Sequence, residues 1–420
     1  MRRFSPSGLV ALSLAAATLA AASISAARAA DWPQWRGADR SGVSAEKGLL
    51  AAWPAEGPKL LWTARGVGLG HSTPSVAGGR IYGMGLRGAD EMVWALDAAT
   101  GKEAWSTRIA GQTELGGRQG GYGPRGTPTV DGDRVYALGV GGDLACLNRA
   151  DGKLIWKKSL VADFGGRVPQ WGYSESPLVD GNTVVAAPGG SKATVVGFNK
   201  KDGSVAWQCA VPGGDAAHYS SAIAANVGGQ KQYIHFLSGG VIGMDAKDGK
   251  FLWRYESPAN RTANCSTPIY RDGQVFAASG YQTGGGLATL PKAGAAAAQE
   301  VYFTRQMQNH HGGMVLVGDY LYGFDNSNLT CLEFKTGKVM WTDRSVGKGS
   351  VSSADGKLYC RSERGPVALV EATPTAYVEK GRFEQPERSR DASWPHPVIA
   401  NGRLYLRDQD VLLCYDVKQP

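Results

Sequence analysis

The 420-residue chain predicts an all-β fold, an eight-bladed β-propeller of four-stranded antiparallel blades, on three observations. The first is a tryptophan that ends a recurring strand: PKLLW at Trp62, TGKEAW at Trp105, DGKLIW at Trp156, DGSVAW at Trp207, DGKFLW at Trp253 and TGKVMW at Trp341. Successive spacings are 43, 51, 51, 46 and 88 residues. A period of this size marks an architecture in which each repeat is one supersecondary unit. The 88-residue gap holds two units, so one near residues 301–303 has lost its tryptophan. A further degenerate unit follows at 378–383.

The second observation is a hairpin motif that occurs once per unit: TPSVAGGRIYG, TPTVDGDRVYA, SPLVDGNTVVA, TPIYRDGQVFA, GMVLVGDYLYG, SVSSADGKLYC and HPVIANGRLYL, with SAIAANVGGQKQYIHF as a looser eighth copy. Dipeptides such as Gly78-Gly79, Asp131-Gly132 and Asn401-Gly402 stand at its centre, where two-residue hairpins need φ > 0. Short apolar runs (WALD, ACLN, IGMD, TCLE, LLCYD) lie between hairpin and tryptophan. The unit is therefore four strands, A to D, and radial repetition of such units makes a propeller. The third observation is the mismatch of the ends. The last unit stops after strand C at residues 412–416, whereas a strand D motif at 59–62 precedes any strand A. The N-terminal strand is expected to complete the last blade and close the ring, giving a single domain over residues 30–420.

Residues 1–29 carry Arg2 and Arg3, an uncharged Ala- and Leu-rich stretch, and Ala27-Arg28-Ala29, the form of a cleavable secretory signal peptide. Cleavage is expected near Ala29. The densely apolar part, residues 8–22, is short for a membrane span of about 20 residues. A periplasmic or extracellular protein with no transmembrane segment in the mature chain follows as the expectation. Loss of Arg2, Arg3 and Arg28 lowers the formal charge from +8 to +5. No basic run is present, which excludes nucleic acid as a partner. A monomer is expected.

Six cysteines in an exported chain invite disulfides. Cys146, Cys331 and Cys414, however, share one strand C position, occupied elsewhere by Ala95, Gly197 and Gly243. In non-neighbouring blades they cannot meet the roughly 7 Å Cα limit of a disulfide. Most of the six are expected to be unpaired, with Cys360 and Cys414, in adjacent blades, the pair left open.

The residues just before strand A should ring the mouth of the central channel, because strand A is innermost in a propeller. Following the blades, that register holds His71, then Arg125, then Trp171, Tyr173 and Glu175, then His218 and Tyr219. It continues with Asn264 and Cys265, His310 and His311, Gly349, and finally Trp394 and His396. Five of the six histidines share this address, and His235, inside strand B, is expected to be structural. Aromatic walls with a few converging polar groups are what ligand pockets combine. The ring is accordingly expected to bind a small molecule, a polymer or an envelope protein. At least one of His310 and His311 should face the channel, adjacent residues turning to opposite sides. Their imidazoles should be uncharged near neutral pH, with protonation toward pH 5 weakening whatever they bind. The D-to-A connections at 111–126, with Arg118 and Arg125, and at 161–175, with Arg167 and Trp171, are long and open on the same face. Long loops on a rigid scaffold are where binding concentrates.

WALDAATGKEAW, residues 94–105, resembles the tryptophan-docking repeat of the pyrroloquinoline quinone (PQQ) propellers. That family includes quinoprotein alcohol dehydrogenases and the propeller lipoprotein of the outer-membrane β-barrel assembly machinery. From DWPQWRG at Asp31 onward the chain is similar to exported PQQ-like propellers, some of them regarded as polyvinyl-alcohol dehydrogenases. The resemblance implies that the repeat tryptophans lie between neighbouring blades. It implies a binding or scaffold protein or, alternatively, a PQQ-dependent alcohol dehydrogenase with calcium, for which Glu175, Asn264, Arg125 and Trp171 are the candidate residues. The chain has no CxxCH, which excludes covalent haem, and lacks the adjacent cysteine pair of many such dehydrogenases. A third class is a metal-dependent enzyme using His71, His218, His310, His311 and His396, since neutral imidazoles suit zinc, copper or iron.

Overall fold

The computed structural model describes residues 1, 31–115, 123–191, 193–291 and 297–420. Apart from Met1, the signal peptide expected at 1–29 lies outside them, as does Arg118. Among the described residues there is no helix, hence none long and apolar enough to cross a membrane, and the strands form eight antiparallel four-stranded sheets. Blade 1 is Ser75–Ala77, Arg80–Arg87, Asp90–Asp97 and Glu103–Gly111, the four strands A to D in order. Its two central strands are buried along most of their length, while strand D shows outward residues between buried ones. The pattern follows from stacking: strands B and C have another blade on each face, and strand D is the outer edge.

Blade 8 comprises Val398–Ala400, Arg403–Asp408 and Val411–Asp416, and its fourth strand is Leu60–Arg65. Leu60 pairs with Tyr415 and Trp62 with Cys414, so the N-terminal strand closes the ring as the sequence predicts.

One contact recurs between neighbours. The glycine of each T/D-G turn between strands C and D lies under the strand D tryptophan of the preceding blade. A Cβ on Gly101 would stand 2.7 Å from Trp62, and one on Gly203 would stand 2.9 Å from Trp156. The same glycines have φ between 71° and 74° at Gly101, Gly152, Gly203, Gly249 and Gly337, a region that residues with a Cβ seldom adopt. The indole also donates to the neighbour: Trp105 Nε1 to Arg149 O at 3.1 Å, Trp156 Nε1 to Lys200 O at 3.1 Å and Trp341 Nε1 to Thr373 O at 2.8 Å.

The two degenerate units solve the same problem differently. In blade 5, Tyr302 holds the tryptophan position, covers Gly337 and donates from its hydroxyl to Phe334 O at 2.7 Å. In blade 7 that position is Gly381, paired with Leu369. Trp53, from the N-terminal segment, sits against Gly381 and donates its backbone N–H to Lys380 O at 2.8 Å. It is buried with Tyr359, Phe383 and Tyr415, between blades 7 and 8.

Residues 31–44 run through the centre of the ring and touch every blade. Trp32 pairs with Val76 of blade 1, and Pro33 O accepts from Val130 N of blade 2 at 2.8 Å. Arg40 Nη1 donates to Ser176 O at 3.1 Å and to Ala222 O at 2.8 Å, leading into blades 3 and 4. Trp35 Nε1 reaches Thr267 Oγ1 of blade 5 at 2.8 Å, and Arg36 Nη2 donates to Met314 O of blade 6. Val43–Ser44 adds a parallel strand to blade 7, and Ser44 Oγ donates to Ile399 O of blade 8 at 2.9 Å. These contacts satisfy carbonyls on the inner edges of the sheets, which would otherwise lack partners.

Two outcomes follow from this architecture. Replacing Trp156 with Ala should cost about 3–5 kcal/mol, as for other large-to-small changes between packed layers, and Gly203→Ala should also destabilise by forcing a Cβ into a left-handed backbone. Denaturant unfolding monitored by circular dichroism checks both, and a Trp156→Ala loss below about 1 kcal/mol would contradict the inter-blade role. All six cysteines are free, five of them buried, and the open Cys360–Cys414 pairing does not form. Thiol counting in denaturant without reductant should therefore return six; a count of zero, meaning three disulfides, would contradict it.

Candidate functional site

The bore opens on the face of the D-to-A connections as a cavity of about 530 Å³. Of the residues that the sequence places before strand A, His71, Arg125, Trp171, Tyr219, Cys265, His310, His311 and Trp394 line it. Gly349 and the other five, Tyr173, Glu175, His218, Asn264 and His396, do not. Tyr173 is buried between blades with its hydroxyl on Pro188 O at 2.7 Å, and Glu175 is buried with Oε1 accepting from Ala187 N at 2.7 Å. Asn264 is buried and donates to Leu237 O at 2.8 Å. His218 is half-buried, its ring stacked on Tyr219 and its Nδ1 accepting from Asn264 N at 3.1 Å. His396 lies beneath the wall, its ring 4.6 Å from that of Trp35 and its Nε2 2.9 Å from His311 O. The predicted structural His235 is buried in Gln230–Leu237, near Glu175.

The division follows extended-chain geometry, in which successive side chains alternate faces. Ser174 and Ser176 line the cavity, and Tyr173 and Glu175, which alternate with them, turn away into the buried interior. Cys265 and Ala263 line it, and Asn264 turns away. His310 and His311 both line it, against the expected alternation. Exposed Arg167, on the long loop, is not part of the lining.

Four charged residues absent from the predicted set also line the cavity, Lys348, Glu363, Arg364 and Asp391, and the first two meet the predicted histidines. Lys348 Nζ lies 3.1 Å from His310 Nδ1 and 3.2 Å from Glu363 Oε1. The same Oε1 is 2.6 Å from His311 Nε2 and accepts from Trp394 Nε1 at 3.2 Å. Burial by itself would raise the Glu363 carboxyl, but the hydrogen bond from His311 and the Lys348 charge outweigh it and hold the group at about 2. Glu363 is thus an ionised carboxylate in close contact with the His311 ring and Lys348. Lys348 precedes the predicted Gly349 by one residue, so it was one step away in the register. Glu363, like the lining Tyr281, sits on a B-to-C turn, a class of loop that also opens on this face.

The rings form a continuous wall: Tyr281 to His310 at 4.9 Å, His310 to His311 at 4.5 Å, His311 to Trp394 at 4.9 Å, and Trp394 to His71 at 4.4 Å between centroids. Opposite stands Trp171, 5.5 Å from Tyr219. The Arg125 guanidinium lies 5.3 Å over the Trp394 ring, and its Nε donates to Trp171 O at 3.1 Å. Its Nη2 is buried with no hydrogen-bond partner among the described residues. Burial lowers Arg125 to about 10, which leaves it charged at neutral pH.

Burial also lowers the histidines: His218 to about 4, His310 and His396 to about 3, and His311 downward despite its bond to Glu363. This corrects the expectation of protonation toward pH 5. The imidazoles exchange water for ring faces, which disfavours their charged form. The lining therefore carries Arg125, Lys348 and Arg364 against Glu363 and Asp391, with one cation in excess.

The calcium part of the resemblance finds no fit in these residues. Burial raises Glu175 to about 8, only partly opposed by Ala187 N and Arg40, so the carboxyl is held in its protonated form at neutral pH. Asn264 already serves the backbone, and neither residue lines the cavity. Among the described residues no group of three or more His, Cys, Asp or Glu side chains is placed to hold a metal ion.

The chain belongs to the PQQ-like repeat family: the family's sequence profile, described as outer membrane protein assembly factor BamB, matches residues 35–122 and 108–343. It is 34% identical over 114 residues to the outer membrane protein assembly factor BamB of Escherichia coli, and 36% identical over 90 residues to that of Salmonella typhimurium. The first match covers 26% of each chain and the second 20% of this chain and 22% of the relative, so the similarity spans about a quarter of the length of these curated relatives. Among solved structures, BamB from Moraxella catarrhalis superposes with a TM-score of 0.61 at 14% identity, covering 86% of this chain and 98% of that one. Quinohemoprotein alcohol dehydrogenase from Comamonas testosteroni superposes with a TM-score of 0.67 at 12% identity, covering 94% and 82%. At such identities the likeness is one of fold.

The histidine environment predicts a spectroscopic result. Because the folded values are lowered, His218, His310 and His396 should keep the ¹⁵N shifts of neutral imidazole from about pH 7.5 down to about pH 5, where a free histidine is mostly charged. Long-range ¹H–¹⁵N correlation spectra read this directly, and midpoints near 6.5 would contradict the buried arrangement.

Proposed function

We propose that the protein is an exported envelope propeller that acts as a binding scaffold and takes a small, flat organic anion into the mouth of its axial cavity. The observation that carries this reading is Arg125, whose buried Nη2 has no protein acceptor among the described residues while its plane is held against Trp394. A buried donor left unmet costs free energy. A carboxylate is the acceptor that matches a guanidinium in paired geometry. Lys348 adds the second cation, Trp171 and Trp394 offer faces for a planar ligand, and the uncharged imidazoles add polar contacts without repelling other groups.

The volume of about 530 Å³, walled by aromatic rings, suits a small molecule better than a polymer or an envelope protein as occupant. The Arg2/Arg3 and Ala27-Arg28-Ala29 pattern supports export, and the relatives' name, outer membrane protein assembly factor, supports an envelope location. A monomer suffices for this reading, since the lining comes from one chain. PQQ-dependent alcohol oxidation is the second reading. The cationic, aromatic cavity favours it, and the state of Glu175 and Asn264 opposes it.

Naphthalene-2,6-dicarboxylate, a flat dianion, tests the proposal through quenching of tryptophan fluorescence. Wild-type protein should bind it and refuse its uncharged dimethyl ester. Arg125→Gln should weaken binding roughly 10- to 100-fold, equivalent to about 1.5–3 kcal/mol for a charge-assisted hydrogen bond. Equal affinity for the ester, or indifference to Arg125→Gln, would overturn the reading.

A further inference from the structure

We propose that Trp35 is the floor of the axial cavity and the residue that limits ligand length, so that ligands enter and leave by the mouth alone; the length limit rests on the anion-binding reading above. Three levels succeed one another down the bore. Arg125, Trp171, His310 and Trp394 stand before strand A at the mouth. Thr73, Ser176 and Ser221 line the cavity below them. One to three residues further along, at Val76, Pro177 and Ala222, the strands meet residues 31–44. A ring of blades alone encloses a central channel. Here a segment from outside the repeats crosses it.

Within that segment Trp35 is the residue that lines the cavity. Its indole N–H is tied to Thr267 Oγ1 at 2.8 Å, and its ring lies against His396, whose Nε2 is 2.9 Å from His311 O. The floor is thus joined to the His311 wall. Its neighbour Arg36 is buried, with the guanidinium on carbonyls of Ser41 and Met314; Arg40 is likewise buried, on those of Ser176, Pro177 and Ala222. Both arginines have φ of 61°, a backbone region uncommon for residues with a Cβ. So many fixed donors hold this turn in one shape, which is what a floor under a ligand requires. Thr267 is 3% exposed and would be uncovered if the indole were removed.

A thiol placed under the floor reports on it without any ligand. In a Cys265→Ser background, which removes the cysteine lining the cavity, the thiol introduced by Thr267→Cys should react slowly with N-ethylmaleimide. Adding Trp35→Ala should speed the reaction at least about tenfold, because access controls thiol reactivity, whereas Trp35→Phe should keep the protection. Should Trp35→Ala not fold, Trp35→Leu serves the same comparison. An unchanged rate in a folded, truncated variant would overturn the floor.

Length is read with two dianions. Wild-type protein should prefer naphthalene-2,6-dicarboxylate over the longer stilbene-4,4′-dicarboxylate by about tenfold or more, and Trp35→Ala should reduce that preference to within about threefold, as expected when a wall that excludes a larger ligand is removed. An unchanged preference would overturn the length limit while leaving the anion site intact. If wild-type protein binds neither dianion while the thiol behaves as described, the anion reading fails and the floor stands.

Discussion

The stacking of one blade's strand D tryptophan on the turn glycine of the next blade is the contact on which the ring depends. It joins a large apolar face, an indole hydrogen bond and a backbone shape that needs glycine, all at the same interface. Because most blades contribute an aromatic ring on one side and several a turn glycine on the other, the contact recurs around much of the circle. It also makes substitution costly, and the exceptions show how the demand is met. Tyr302 keeps both the ring and the hydrogen bond with a hydroxyl, and Trp53 restores an aromatic to the interface at Gly381 from a different part of the chain. A propeller shares its core out among such interfaces, so an interface left empty would be a cavity between two rigid sheets.

The same circular construction concentrates chemistry at the axis. Strands A present their inner edges to the bore, and residues 31–44 occupy those edges with donors. What is left open at the mouth is a patch in which a single carboxylate oxygen, Oε1 of Glu363, meets His311, Lys348 and Trp394. With Glu363 satisfied in this way, Arg125 is a cavity cation whose buried Nη2 has no partner among the described residues. The electrostatic character of the cavity is therefore set by the removal of histidine charge through burial as much as by the cations themselves.

Much of the fold was legible in the sequence because it is written in local patterns that repeat. The tryptophan spacing, the hairpin dipeptides and the unmatched strand at 59–62 each report on a few consecutive residues, and together they determine eight blades, the closing strand and the non-pairing of strand C cysteines. The register before strand A also located the mouth, and with it His71, Arg125, Trp171, Tyr219, His310, His311 and Trp394. Which neighbours share that lining was a matter of tertiary structure. Gly172, at φ of 77°, resets the alternation, so that Trp171 and Ser174 face the bore while Tyr173 and Glu175 turn away into the buried interior. Glu363 and Tyr281 reach the site from turns with no repeat signature, and Trp35 and Trp53 come from a segment that belongs to no repeat. The protonation of the histidines could not be read locally at all, because desolvation sums over side chains that several blades bring together, and only the closed ring makes them neighbours.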